Sequence, residues 1–162
     1  MIRQKQLFRH EPEKGQFGDC HRTALACLLN IPVEDSPHFI GEWERREQLK
    51  AQGQEVEFYS WPDEQEAWLN SLGYTTIDVC YNPDSPVEEV MRCVSIRNPD
   101  IYYLIAGRSP RGTNHSVIAH GPNFDWDPHM DGGFLVGPLN NGLWEVTFLL
   151  PIICKEVRNG PL

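Results

Sequence analysis

The chain has 162 residues, 40% of them hydrophobic and 23% charged, which suits one folded domain over 1–162 with its own core. A formal charge of -9 leaves no general basic surface, so nucleic acid is not expected as a partner. No apolar run approaches the ~20 residues of a membrane span, and "MIRQKQLFRHEPEKG" lacks the apolar stretch of a signal peptide. The expectation is a cytoplasmic protein with no membrane partner.

The first helix is expected over 19–30. Asp19 is a good N-cap residue, Ala24, Leu25, Leu28 and Leu29 form an apolar stripe, and Asn30 and Pro32 end it. A second helix is expected in "GEWERREQLKAQG", closing at Gly53, and a third in "PDEQEAWLNSLG", with Pro62 in its first turn and Gly73 at its end. "YTTIDVCY" is β-branched and aromatic and reads as a strand. "SPVEEVMRCVSI" reads as a short helix capped by Ser85. "IYYLIAG", "HSVIAH", "NFDWD" and "EVTFLLPII" then read as strands between Gly, Pro and Asn punctuation. Helices first and antiparallel strands afterwards make an α+β domain with helices packed on a sheet.

The five cysteines, Cys20, Cys27, Cys80, Cys93 and Cys154, form no CxxC pair. They read as free thiols of a reducing compartment, most of them core residues. Cys20 has a second reading. In the first turn of a helix, unsatisfied amides and the helix dipole stabilise a thiolate, the form that attacks. The preceding "FGD" leaves the backbone uncluttered for a substrate carbonyl.

A cysteine nucleophile needs a base, and the base an orienting acceptor. "GTNHSVIAHGPNFDWDPHMDGG" offers both. A hairpin centred on Gly121 sets His115 across from Asp127 and Val117 across from Asp125, with opposed Cβ atoms ~5 Å apart. Asp127 would accept from Nδ1 and leave Nε2 to the cysteine. A register slip would make Asp125 the fallback. His129 would line the pocket or, with His115 and an aspartate, hold a metal; no ligand spacing supports the metal. His10 and His38 read as exposed loop residues, His120 as part of the turn, and His21 as unable to face Cys20. Arg108 and Arg111, in "AGRSPRGTNH", could fork onto a substrate carboxylate or phosphate. The Cys20 amide and the Gln16 side chain are the candidate oxyanion donors. Trp43, Phe58, Tyr59, Trp61 and Trp68 could be core or could line a groove.

With these residues named, "DCHRTALACLL" followed by "NHSVIAHGPNFDWDP" resembles the papain-like cysteine peptidase superfamily, closest to its bacterial C39-like branch. The resemblance implies a papain-like fold, with Cys20 as nucleophile, His115 as base, Asp127 as orienter and Gln16 as oxyanion donor. Gln16 stands closer to the cysteine than the family's glutamine does, and His21 takes the place of the glycine that often follows it. "GDC", "LLNIPVEDSPHF", "WLNSLGY", "GRSPRGTNH" and "DPHMDGG" are also similar to segments of small phage and prophage proteins, which implies a bacterial host cytoplasm.

The expected function is cysteine-dependent acyl transfer, as a peptidase, isopeptidase or amidase, through a thioester and without a cofactor. The expected partner is a peptide or other amide-containing substrate, including a host protein. The competing expectations are a binding or inhibitor protein on the same scaffold and a thiol-dependent transferase.

Overall fold

The computed structural model describes residues 1–153. Four α-helices, α1 (Cys20–Leu29), α2 (Phe39–Ala51), α3 (Trp61–Ser71) and α4 (Val87–Ser95), accompany five strands. These are β1 (Tyr74–Tyr81), β2 (Tyr102–Arg108), β3 (Asn114–His120), β4 (Asn123–Trp126) and β5 (Trp144–Pro151). The strands form one sheet in the order β1-β5-β2-β3-β4, with every neighbouring pair antiparallel. The molecule is α+β, as the order of elements predicts.

Alternation along the strands gives the sheet two apolar faces. Leu104 of β2 and Ile118 of β3 pack against Ala24, Leu25 and Cys27 of α1 and Leu69 of α3. Tyr103, Ile105, Val117 and Val146 pack on the opposite face against Val87, Val90 and Met91 of α4. Covering both faces explains why β2 and β3 read as near-continuous apolar runs. Each fully buried Leu, Ile or Val there contributes about 1.5–3 kcal/mol.

Local chemistry departs from expectation at several ends. Asp19 precedes α1, but its carboxylate makes no capping bond. It accepts instead from the amides of Leu7 and Phe8 and from Arg22. His38 is a half-buried N-cap, not an exposed loop residue: Nδ1 accepts from the Gly41 amide and Nε2 contacts the Phe17 carbonyl. Helix α2 therefore starts ahead of Gly41, with Gly53 beyond its end at φ +79. Helix α4 starts after Pro86, so Ser85 is not its cap; the Ser85 carbonyl accepts from Trp144 Nε1.

Cys27 is buried, Cys20 half-buried, and Cys80 and Cys93 exposed, so core packing accounts for one of the four described thiols. Cys154 lies outside the described residues.

The β3–β4 hairpin is shifted from the predicted centre. His120 pairs with Asn123 around a Gly121–Pro122 loop, and a bulge follows between Ile118 and Ala119. Gly121 (φ +54) is required there, because a Cβ would collide with the Pro99 carbonyl oxygen. No described helix is long and apolar enough to cross a membrane.

Candidate active site

Cys20 is the first residue of α1, and α1 packs on β3 and β2. This packing brings the helix start to the beginning of β3, where His115 is the second residue. His115 is buried (4% exposed), and its Nε2 lies 2.8 Å from Asp127 Oδ1. Burial alone would lower the imidazole pKa, but the hydrogen bonds and charges of Asp127 and Cys20 raise it to about 9. The ring is turned the opposite way from the sequence expectation. Nε2 is bound to the aspartate, and Nδ1 is the nitrogen left for the thiol.

Asp127 is fixed from three sides. Its Oδ1 also accepts from the His129 amide at 2.7 Å, and its Oδ2 accepts from the Phe134 amide at 2.8 Å. Burial works against the carboxylate, but His115 and these two amides hold its pKa down to about 2. Asp125 has a different partner. It is the extra residue of the bulge, and its Oδ1 pairs with Arg3 at 2.8 Å.

A cleft of about 670 Å³ opens over this group. Cys20, His21, His115 and His129 line it, together with Trp43 of α2 and Trp61 of α3. Of the other aromatic residues, Trp68 packs against the core, Tyr59 lies under Arg46 and Phe58 is 91% exposed. His21 does not pair with Cys20; its ring is held between Ser116 Oγ and Gln65 Oε1, and burial lowers its pKa.

The remaining sequence candidates separate. Arg111 lines the cleft, whereas Arg108 does not: its guanidinium lies over Gly137, and its backbone pairs with residues 136 and 137. Gln16 is also outside. A short 3-10 turn, Pro12–Lys14, pairs Glu11 with Gln16, and the Gln16 side chain donates to the Arg9 carbonyl.

The glutamine in the cleft is Gln6, which the sequence reading missed. It is 4% exposed, its Nε2 donates to the Phe8 carbonyl at 2.6 Å, and its Oε1 has no partner among the described residues. The Phe8 carbonyl fixes which end of the amide is nitrogen and leaves a second N–H without a partner among the described residues. Gln6 sits on an N-terminal arm strapped to the site. The Gln6 amide donates to the Pro128 carbonyl, Lys5 Nζ to the carbonyls of Asp127 and His129, and Asp19 receives Leu7 and Phe8. Its distance in sequence from Cys20 hid it, in a segment that the sequence analysis takes only as lacking the apolar stretch of a signal peptide.

Among the described residues, no group of three His, Cys, Asp or Glu is arranged to hold a metal ion. Chemically, the arrangement is a thiol at a helix start beside an imidazole whose far nitrogen is bound by a buried carboxylate. Neither a family model, nor a curated protein, nor a solved structure matches the chain.

Proposed function

We propose that the protein is a cysteine-dependent acyl-transfer enzyme with a papain-like architecture, acting on an amide or isopeptide bond. The observation that carries the reading is the Cys20, His115 and Asp127 arrangement, with Cys20 and His115 lining an open cleft. Cys20 Sγ attacks the carbonyl after its proton passes to Nδ1 of His115. Asp127 holds the ring orientation and stabilises the imidazolium. The Cys20 backbone amide and the Gln6 side-chain amide, which line the same cleft, would receive the developing oxyanion. The imidazolium then protonates the leaving amine, the C–N bond breaks, and a thioester on Cys20 remains for water or an amine to resolve.

The test is the rate of Cys20 alkylation by iodoacetamide against pH, with peptide mapping, in the native protein and in His115→Ala. The reading expects Cys20 to react well below pH 8, ahead of the other thiols, and more slowly in the variant. An inert Cys20, or one indifferent to His115, sinks the enzyme and leaves the binding-protein alternative.

A further inference from the structure

His129 is buried (6% exposed), lines the cleft, and meets the His115 ring edge-on with centroids 6.0 Å apart. The Asp131 amide donates to its Nδ1 at 3.1 Å, so in the neutral ring the proton is on Nε2. Nε2–H has no partner among the described residues. Burial, Arg111 and His115 lower the His129 pKa against the opposing charges of Asp131 and Asp127, which favours the neutral ring. Arg111 uses Nη1 on the Gly132 carbonyl at 2.9 Å and has no carboxylate partner among the described residues. The nearby Asp131 carboxylate is taken by both Nη atoms of Arg9, at 2.6 and 3.0 Å.

From this geometry, and resting on the acyl-transfer reading above, we infer that His129 and Arg111 form a subsite for a carboxylate on the leaving side of the substrate. The side follows from the chemistry. His115 protonates the leaving amine, so that amine lies against His115, and His129 is the next ring along. A separation of 6.0 Å is within reach of a carboxylate one residue beyond the scissile bond, since successive Cα atoms are about 3.8 Å apart. A guanidinium and a fixed neutral N–H together recognise a carboxylate by charge and direction. Attack forms the Cys20 thioester and breaks the C–N bond. The His115 proton goes to nitrogen, and an amine bearing a free carboxylate departs before water cleaves the thioester.

The probes are iodoacetate and iodoacetamide, which attack the same thiol and differ in carrying a carboxylate or a neutral amide. Their rate ratio at Cys20 cancels changes in thiol reactivity and in folded fraction. The ratio is expected to fall about tenfold, equivalent to ~1.4 kcal/mol, in Arg111→Ala and also in His129→Ala, and to hold in Arg108→Ala. An equal ratio in native protein and Arg111→Ala overturns the subsite while leaving Cys20 a nucleophile. A Cys20 inert to both reagents overturns the acyl-transfer reading and the subsite with it. Protection of Cys20 by acetyl-alanyl-alanine, compared with acetyl-glutamyl-amide, then tells a main-chain carboxylate from a side-chain one.

Discussion

Nε2 of His115 lies 2.8 Å from Oδ1 of Asp127 although the two residues are not opposite each other in the sheet. Continuing the Ile118–Trp126 pairing sets Asp127 across from Val117, two residues from His115. The hairpin loop moves the register by one, and the bulge moves it by one more. Two steps restore the face, because side-chain direction repeats every second residue. The contact is therefore diagonal, and a single step alone would have turned Asp127 away from His115.

The bulge gives the two aspartates different partners. Asp125 is spent on Arg3, and Asp127 alone reaches the imidazole. Asp127→Asn is expected to slow Cys20 alkylation near pH 6.5 on the order of a hundredfold, the scale of a positioned acid–base group. Asp125→Asn is expected to leave the rate within about twofold, since exposed-side ion pairs contribute little. The measurement is the alkylation rate by mass spectrometry. Equal losses in both variants would mean that general destabilisation, not orientation of His115, sets the rate.

Gln6 and Gln16 make opposite predictions. Acylation of Cys20 by p-nitrophenyl acetate develops an oxyanion, whereas alkylation by iodoacetamide does not. Gln6→Ala is expected to lower the acylation rate about 10²-fold, the usual cost of one lost oxyanion donor, and to lower alkylation by much less. Gln16→Ala, whose amide is engaged by the Arg9 carbonyl, is expected to change neither rate. Stopped-flow release of p-nitrophenol reads the first rate. A Gln6 effect of equal size on both reactions would mark it as a strut for the arm.

The His115 pair also predicts a pH dependence of stability. Its pKa rises from 6.5 to about 9 on folding, so the native state keeps a proton that the unfolded chain loses. The contribution is complete below pH 6.5 and disappears as pH rises through about 9. Asp127 falls from 3.8 to about 2, so its contribution is present above pH 3.8 and lost as pH falls through 2. Urea midpoints of native protein and Asp127→Asn are expected to differ by a constant amount from pH 5 to 6.5 and to converge towards pH 9.5. A gap that is flat to pH 9.5 would show that the imidazole does not hold its proton.

The sequence announced the elements better than their ends. Strand β1 and the cores of α1, β2 and β3 were legible because apolar period and β-branching depend on local pattern alone. The thiol, imidazole and carboxylate were legible because each chemistry admits few residue types. Gln6, the inward Arg111 and the outward Arg108 were not legible, since a strap across the fold and the bend of a loop leave no period in the chain. Asp19 looked like a helix cap for the same reason: its true partners, Leu7 and Phe8, are set by tertiary contact.

Asp19 is where the fold and the site meet. Its side chain is fully buried and accepts from two amides of the arm and from Nε and Nη2 of Arg22, itself mostly buried. Removing one partner of such a buried pair strands the other, at a cost of about 3–5 kcal/mol. Asp19→Ala is expected to lose that much in urea unfolding and to release the arm that carries Gln6. Arg22→Met removes the guanidinium, which lies 5.6 Å from the Phe8 ring centroid, but keeps an apolar stem of similar length. It leaves the carboxylate with its two amide donors and is expected to cost less than Asp19→Ala. Hydrogen exchange at Leu7 and Phe8 separates the two effects: strongly raised in Asp19→Ala, weakly in Arg22→Met. If both amides stay protected in Asp19→Ala, the arm is held by the Lys5 and Gln6 contacts instead, and the position of Gln6 does not depend on Asp19.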